Sequence, residues 1–459
     1  MKLKRNNMNI LVLNGSPKGK NSITLQTVNY LDKLSRHTFN VLHVGQRIKA
    51  YEKDMSEAIE ALNAADLIIF AYPVYTFIAP SQLHRFIELI KECGVDISGK
   101  FATQITTSKH FYDVTAHRYI EENCYDLGLK YVKGLSADMD DLLAERGRRE
   151  AKDFFRHVMW CMKNDIYEQY ISIKRKPKCR KVKPYVSEIP NDEKSGDIVI
   201  VTNCREDDAQ LKSMIERFRA KVNRKTRVFN ILEYNFSGGC LGCFNCAVTG
   251  KCIYKDGFDD YLRDNIQTAE AIVFAFTIKD HSMGASFKMY DDRQFCNGHR
   301  TVTMGMPMGY LVSGNLSEEA NLRMIIEGRA SVGGNYLCGI ATDEQDTSDN
   351  IDKLASKLEY ALENKQSAQK DFLGVGGMKI FRDLIWVMQG MMKADHKFYK
   401  EHGQYDFPQK QKGRMIAMYG VGALMSNKKL KAKMGTKMTE GMLMPYNKVL
   451  NKVKAKEKK

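Results

Sequence analysis

Four cysteines lie within one short, glycine-containing stretch of the sequence. The segment GGCLGCFNCAVTGKC, residues 238–252, has the spacing C-x₂-C-x₂-C-x₅-C, with thiols at Cys240, Cys243, Cys246 and Cys252. Such thiols can form disulfides, bind zinc, hold an iron–sulfur cluster or remain unligated. Zinc sites usually pair two C-x₂-C units across a longer loop, whereas three cysteines at three-residue intervals plus a fourth nearby are typical of a cubane cluster. The spacing favours a cluster, with zinc and unligated thiols as the alternatives.

A second candidate site is the segment NGSPKGKNSIT, residues 14–24, which follows the apolar run NILVLN. Gly15 and Gly19 permit a tight turn between a strand and a helix, and the backbone amides at the start of that helix favour an anion. The polar side chains available to such an anion are those of Ser16, Lys18, Asn21, Ser22 and Thr24.

The elements around this turn alternate between strand and helix patterns. Apolar runs at 9–14, 39–44 and 66–72 predict buried strands, and the spacing of apolar residues at 22–34 predicts a helix. Continuous apolar strands alternating with helices predict an α/β fold with a doubly wound parallel sheet. We assign residues 1–170 to this first domain.

The same alternation restarts after a charged segment. Residues 171–196 contain KRKPKCRKVKP and predict a basic linker, and DIVIVTN begins a second α/β domain that we assign to 197–364. Residues 65–88 align without gaps on residues 269–292, so the chain contains a tandem repeat. Ligands in such folds bind at the carboxyl ends of the strands, and the differences between the two copies there indicate their chemistry.

The loops of the first copy resemble those of the flavodoxin-like NAD(P)H-dependent FMN reductase family. The resemblance rests on GSPKGKNS.T and on PVY after the third strand, and it implies that the first loop binds the FMN phosphate. The second loop would then contact the isoalloxazine ring, and the next strand end would reach its polar edge. The residues carried over are Ser16, Lys18, Asn21, Ser22 and Thr24 for phosphate, Pro73, Val74, Tyr75 and Thr76 for the ring, and Thr107, Ser108 and His110 for its polar edge.

The second copy differs at both loops. The first loop becomes TNCREDDAQ, whose acidic residues would repel a phosphate, and PVY becomes TIK. The cysteine motif resembles that of the iron–sulfur flavoproteins, a branch of the same superfamily. That resemblance implies that Cys240, Cys243, Cys246 and Cys252 ligate a 4Fe-4S cluster.

Charge and hydropathy limit the remaining classes of function. The net charge is +16, and residues 365–459 contain 21 Lys/Arg against 7 Asp/Glu, so the surplus belongs to this C-terminal extension and does not predict nucleic-acid binding. The sequence shows no signal peptide or membrane span, which predicts a cytoplasmic protein. The methionine-rich extension predicts helices packed on the α/β domains, with contact to a membrane surface or a partner as the alternative.

These observations predict a flavin-dependent oxidoreductase. FMN would pass electrons from NAD(P)H or ferredoxin to a small acceptor such as flavin or quinone, with the cluster as a relay and a homodimer as a candidate assembly. The sequence contains no catalytic triad or hydrolase motif, and no catalytic side chain is required. The alternatives are an electron carrier or redox sensor that serves a protein partner, and a scaffold whose sites have decayed.

Overall fold

The structure is a computed structural model that describes residues 7–168, 180–405, 411–427 and 437–452. Two compact units make up the chain, and each is described by itself. The first is formed by Met1–Ile173, Cys240–Gly242 and Lys429–Lys459, and the second by Lys174–Gly239 and Cys243–Lys428.

A parallel sheet forms the centre of the first unit. Its strands are β1 (Asn9–Asn14), β2 (Thr38–Leu42), β3 (Leu67–Pro73), β4 (Phe101–Ser108), β5 (Lys130–Tyr131) and β6 (Leu135–Asp138). They pair in the order β2–β1–β3–β4–β5, and β6 also pairs with β4. Helices cover both faces of the sheet, so Ile10 to Leu13 are almost fully buried. β1 and β3 are continuous apolar runs, as expected for strands covered on both faces.

The helices of the first unit follow the strands in the expected alternation. They are α1 (Ile23–Leu34), α2 (Val44–Tyr51), α3 (Ser56–Ala64), α4 (Ser81–Glu92), α5 (Asp113–Asp126) and α6 (Glu145–Asn164). Ser22 caps α1, because its side chain accepts a hydrogen bond from the amide of Leu25 at 3.4 Å. The strand predicted through Val44 ends at Leu42, and Val44 begins α2 instead.

The second unit repeats this sheet. Its strands are β7 (Ile198–Thr202), β8 (Thr226–Asn230), β9 (Ala271–Thr277), β10 (Pro307–Ser313) and β11 (Tyr336–Thr342). They pair in parallel in the order β8–β7–β9–β10–β11, so the second strand lies outside the first in both sheets. β9 begins and ends where the ungapped alignment with β3 places it. The prediction of two doubly wound domains in tandem is confirmed.

The helices of the second unit include one irregular segment. They are α7 (Ala209–Lys221), α8 (Asn245–Thr249), α9 (Phe258–Tyr261), α10 (Gly284–Arg293), α11 (Ala320–Gly333) and α12 (Thr347–Glu363). A π-helical turn at Leu262–Ile266 continues α9. The short helices α8 and α9 lie on either side of the last cysteine of the motif, so this loop has regular structure of its own.

The C-terminal extension is helical, as predicted. Its helices are α13 (Phe372–Val387), α14 (Lys393–Glu401), α15 (Lys412–Ser426) and α16 (Lys437–Lys452). In the second unit, Ile385, Met392 and Tyr399 of this extension are buried in one apolar cluster with Ala247 of α8. In the first unit, α16 packs into the core of the sheet through Leu443 and other apolar side chains.

The predicted linker is partly outside the described residues, at 171–179. From Arg180 onward the chain is bonded to the second unit, because the amide of Arg180 donates to the carbonyl of Asp343 at 2.8 Å and the amide of Lys183 to Ser348 Oγ at 2.9 Å. Among the described helices, none is both long enough and apolar enough to cross a membrane.

Candidate cofactor sites

Hydrogen bonds of its own backbone and of Asn14 fix the shape of the turn between β1 and α1. The Gly15 amide donates to the carbonyl of Ala71 at 2.9 Å, and the Ser16 amide donates to Asn14 Oδ1 at 3.2 Å. Asn14 Nδ2 donates in turn to the carbonyl of Gly19 at 2.8 Å. Gly19 has a φ of +53°, which favours glycine. The turn therefore has a fixed shape at the carboxyl end of the central strand.

The side chains of this turn suit an anionic group. Ser16, Ser22 and Thr24 are buried, with at most 1% exposure, while Lys18 and Asn21 are half-buried. The segment from Gly15 to Leu31 contains no acidic residue. Hydroxyl groups at a helix N-terminus can donate hydrogen bonds to a phosphate, and a nearby lysine offsets its negative charge. The structure thus brings together all five residues predicted to bind phosphate.

The loop after β3 contains two non-glycine residues with left-handed backbone conformations. The amide of Val74 donates to the carbonyl of Thr107 at 3.1 Å, and the amide of Tyr75 donates to the carbonyl of Ile78 at 2.8 Å. Between these anchors Thr76 and Phe77 have φ values of +47° and +73°. Non-glycine residues in this region cost about 1–3 kcal/mol each, so the surrounding bonds must hold them there. The four predicted ring contacts, Pro73, Val74, Tyr75 and Thr76, are all half-buried on this loop.

Part of the cysteine motif packs against these two loops within the first unit. The carbonyl of Cys240 accepts a hydrogen bond from Gln82 Nε2 at 3.3 Å. Gly242 has a φ of +60°, and a Cβ there would overlap the hydroxyl of Tyr75 and lie 3.5 Å from Lys18 Cε. Two predicted flavin contacts thus meet the peptide at Gly242. The sequence gives no local signal for this approach, because the partners are far apart along the chain.

The third predicted segment lies at the carboxyl end of β4. Thr107 is buried, and its hydroxyl is 2.6 Å from the hydroxyl of Thr24, which ties this strand end to α1. Ser108 Oγ accepts from the amide of His110 at 2.9 Å. The imidazole of His110 is exposed and lies 3.0 Å from Asp113. Its contact with a ring stays a prediction.

The corresponding turn of the second unit already contains a negative charge. Asp208 caps α7 by accepting from the amide of Leu211 at 3.1 Å, and it also accepts a hydrogen bond from the hydroxyl of Thr277. A carboxylate therefore occupies the helix N-terminus where the first unit has Ser22. Such a turn does not fit a phosphate, because the two like charges would be adjacent.

Three cysteines of the motif, Cys243, Cys246 and Cys252, belong to the second unit. Burial, followed by the nearby Asp395 carboxylate and the thiols of Cys243 and Cys252, raises the pKa of Cys246 to about 12. All three are half-buried, and every cysteine among the described residues is free of a disulfide. Free thiols on one short loop are a donor set that suits a soft metal centre.

The ends of the cysteine loop are joined by a buried ion pair. Arg293 donates to both carboxylate oxygens of Asp256 at 2.8 Å and to the carbonyl of Gly238 at 2.9 Å. Asp256 also accepts from the amide of Ser237 at 2.9 Å. Burial opposes ionisation of Asp256, but the bonds to Arg293 and to backbone amides outweigh it and lower the pKa to about 2. This pair closes the loop that carries the cysteines, and sequence analysis missed it.

A second set of contacts shapes the interior of the loop. The carbonyl of Gly250 accepts from Arg263 at 2.7 Å and from Arg300 at 3.4 Å. The amide of Cys252 donates to Asp259 Oδ2 at 2.7 Å. The buried Asp395 of α14 accepts from the amide of His299 at 3.2 Å. The C-terminal extension also packs on the cysteine loop itself, because Met392 and Tyr399 share an apolar cluster with Ala247.

Comparison with known proteins identifies the fold. Residues 8–133 match a protein-family model described as Flavodoxin-like fold. An iron-sulfur flavoprotein of Archaeoglobus fulgidus is 26% identical over 173 residues, which cover 36% of this chain and 78% of that protein. An iron-sulfur flavoprotein of Clostridioides difficile is 25% identical over 162 residues, which cover 33% of this chain and 70% of that protein.

Solved structures show similarity at lower sequence identity. The NAD(P)H:quinone oxidoreductase from Methanothermobacter marburgensis is 15% identical, with a TM-score of 0.27, and the match covers 36% of this chain and 100% of that one. By the family match and its two sheets, the chain has two α/β domains of flavodoxin-like fold in tandem and a helical extension, and its resemblance to iron–sulfur flavoproteins, predicted from its loops, is confirmed.

Proposed function

We propose that this protein is a flavin-dependent oxidoreductase that binds FMN in its first unit. FMN would pass electrons from NAD(P)H or ferredoxin to a small acceptor such as flavin or quinone, with a 4Fe-4S cluster as a relay. The observation that carries the proposal is the turn at Gly15–Ser22, where buried hydroxyls and a helix N-terminus meet without any acidic side chain.

The residues of the first unit have separate roles in this proposal. Ser16, Lys18, Asn21, Ser22 and Thr24 would hold the phosphate, and the loop from Pro73 to Thr76 would lie along the ring. When bound, FMN supplies both hydride and single-electron chemistry, so the protein needs no nucleophile of its own. Thr107, Ser108 and His110 would offer hydrogen bonds near the polar edge of the ring.

The strained loop has a positioning role. Tyr75 is held by paired backbone bonds to Ile78 on one side and by its approach to Gly242 on the other. This restraint fixes the aromatic side chain before any ligand arrives, which lowers the entropic cost of binding a flat ring. The two left-handed residues that follow it carry the strain of that arrangement.

The cysteine motif supports the second cofactor. Thiolate ligands suit iron–sulfur clusters and zinc alike, and the compact spacing favours the cluster. The relatives named iron-sulfur flavoproteins support the same choice. Cys240, Cys243, Cys246 and Cys252 would be the ligands. The Arg263 and Arg300 guanidinium groups, which both donate to the carbonyl of Gly250, would stabilise the shape of the loop.

The test is a measurement of cofactors on protein purified without oxygen. We expect one FMN per chain together with iron and acid-labile sulfide in a ratio of about four each. Cys246→Ser should remove iron and sulfide while FMN remains, and Ser22→Asp should remove FMN while iron remains. Flavin without iron would eliminate the relay, and colourless protein would eliminate the whole proposal.

Turnover then separates the enzyme from an electron carrier. The purified protein is mixed with NADH or NADPH and with a soluble quinone or free flavin as acceptor. Steady oxidation of the nicotinamide, lost in Ser22→Asp, is the expected result. A flavin that becomes reduced but discharges only to a redox protein would identify a carrier or sensor instead.

A further inference from the structure

His43 lies between β2 and α2, and its side chain reaches the turn between β1 and α1. It follows Leu42, the last residue of β2, and its carbonyl accepts a hydrogen bond from the amide of Arg47 at 3.0 Å. A polar residue at this position often caps the helix with its side chain, but the imidazole of His43 makes no such bond. Its Nδ1 instead lies 3.0 Å from Nδ2 of Asn14, the residue that shapes the turn.

The backbone of the turn decides which end of the Asn14 amide faces His43. Asn14 Oδ1 accepts from the amide of Ser16 at 3.2 Å, and Nδ2 donates to the carbonyl of Gly19 at 2.8 Å. A backbone amide can only donate and a carbonyl can only accept, so the reversed side-chain amide would oppose both groups. Asn14 is also fully buried, so water does not replace these bonds. The second hydrogen of Nδ2 is therefore the one offered to His43.

The imidazole of His43 must accept this hydrogen bond, so it is neutral and carries its proton on Nε2. A neutral imidazole has one acceptor nitrogen, whereas an imidazolium donates from both nitrogens and would oppose the asparagine. The surroundings also disfavour the cation, because burial, followed by the charges of Arg47 and Lys20, lowers the pKa of His43. α4 packs on α2 as well, but its Arg85 lies beside Glu52 at the far end of α2.

The second unit uses the same strand end to shape its own turn. The register of the two sheets places Thr202 at the position of Asn14 and Asn230 at the position of His43. Thr202 Oγ1 accepts from the amide of Cys204 at 3.0 Å, and Asn230 Nδ2 donates to the carbonyl of Cys204 at 2.9 Å. A side chain at the end of the second strand thus bonds the first turn or its anchor in both units, but only His43 of the two can take up a proton.

We infer that His43 is a positioning residue for the phosphate site of the first unit. Its neutral imidazole holds the side chain of Asn14, and Asn14 holds the turn from Ser16 to Gly19 in the shape that receives the phosphate. Protonation of His43 removes this bond, so FMN binding weakens in acid. A cationic imidazole in direct contact with the phosphate would have the opposite effect, because the two charges attract. The inference rests on the proposed function of the first unit.

The first test compares flavin binding by the unaltered apoprotein and by His43→Asn. The Oδ1 of asparagine takes the place of Nδ1 as an acceptor and does not titrate. FMN affinities should agree within about twofold at about pH 7.5, and at about pH 5 the unaltered protein should bind FMN about two- to threefold more weakly than the variant. The phosphate of FMN itself gains a proton at about pH 6, which affects both proteins equally. Riboflavin, which lacks the phosphate, should bind both proteins alike at either pH.

The matched variant is His43→Gln, which is similar in size but places its oxygen at the position of Nε2. Asn14 then loses its acceptor, so FMN affinity should fall about fivefold at both pH values. Riboflavin affinity should stay unchanged here too. Circular dichroism and melting temperature show whether each variant is folded. Equal FMN affinity of His43→Gln and His43→Asn at about pH 7.5 would overturn the role of His43.

The second test does not need a flavin. Heteronuclear NMR of the apoprotein with isotope-labelled histidine separates protonated from unprotonated ring nitrogens, and the signals missing in His43→Asn belong to His43. We expect an unprotonated Nδ1 at about pH 7.5. A protonated Nδ1, or tighter FMN binding in acid than His43→Asn shows, overturns the role of His43 while the flavin site stands. A protein that binds no FMN at either pH overturns the proposed function itself.

Discussion

The loop after the third strand has the same backbone in both units. Thr76 and Phe77 have left-handed φ values in the first unit, and Asp280 and His281 have them at the aligned positions of the second. The amide of Lys279 donates to the carbonyl of Ser282 at 2.9 Å, as Tyr75 does to Ile78. The strained geometry is therefore a property of the duplicated sheet and does not by itself identify a binding site.

The side chains on this shared backbone differ in charge and size. Lys279 replaces the ring of Tyr75, and Asp208 replaces the hydroxyl of Ser22 at the helix N-terminus. One position beyond the aligned segment, Arg293 replaces the buried Leu89 and closes the cysteine loop through Asp256. The comparison indicates that a few side chains, placed at equivalent strand ends, decide whether the first turn of a unit can accept a phosphate.

We expect the largest effect when Arg293 of the second unit is replaced by leucine, the residue that the first unit has at the aligned position. Arg293→Leu leaves Asp256 buried without its partner and should destabilise the second unit by about 3–5 kcal/mol, as measured by urea unfolding. Arg323→Leu is the control, since its contact with Glu327 is exposed and should contribute less than about 1 kcal/mol. A small loss for Arg293→Leu would mean that the cysteine loop holds its shape without this pair.

The reverse exchange places the charge of the second unit into the first. Ser22→Asp keeps a good helix cap but sets a carboxylate beside the predicted phosphate, which should weaken FMN binding by about 3 kcal/mol, or about a hundredfold. Flavin fluorescence titration measures the affinity. Ser22→Asn, which caps the helix without a charge, should lose much less. Unchanged FMN binding in Ser22→Asp would move the phosphate away from this turn.

Acid should weaken the Arg293–Asp256 ion pair that closes the cysteine loop, over a defined range of pH. The folded-state pKa of Asp256 is about 2, below its ordinary value of 3.8. Its contribution to stability is thus present above about pH 4 and is lost as the pH falls through about 2, with a total of about 2 kcal/mol. Unfolding of the unaltered protein and of Asp256→Asn should converge across this range. A difference that stays constant with pH contradicts the assignment.

The smallest expected effect concerns the contact between the cysteine motif and Tyr75. Gly242→Ala adds left-handed strain of about 1–2 kcal/mol and displaces the Tyr75 hydroxyl, so FMN affinity should fall about tenfold. Gly403→Ala is the control, because Gly403 has the same φ of +60° with no neighbour within 4 Å of an added Cβ. Equal losses of FMN in both variants would show that strain alone, and not Tyr75, is responsible.

The elements that sequence patterns predicted well are those with strong local signals. β1, β3 and β9 are continuous apolar runs, and α1 begins directly after a serine cap. The error at Val44 has a physical cause. The valine favours a strand, but Gly45 lies against the backbone of Gly15, and this packing turns the chain into α2.

The candidate sites were predictable as single loops but not as assemblies. The glycine and serine residues of the first turn and the four cysteines are each recognisable within a few positions. The approach of Gly242 to Tyr75 and the pairing of Arg293 with Asp256 join distant segments, and no periodicity or spacing records such contacts. The support that Asp395 gives to His299 is of the same kind.

Helix α16 affects how the protein is made. Its Leu443, Tyr446 and Leu450 belong to the same core as Ile10 and Val12 of β1, and Tyr446 donates to the carbonyl of Met139. A ribosome that has released α6 must still synthesise the whole second unit before it reaches α16. At about 5–20 residues per second this takes from roughly a quarter of a minute to a minute. During that interval the apolar side chains of the first unit that share a core with α16 lack this cover.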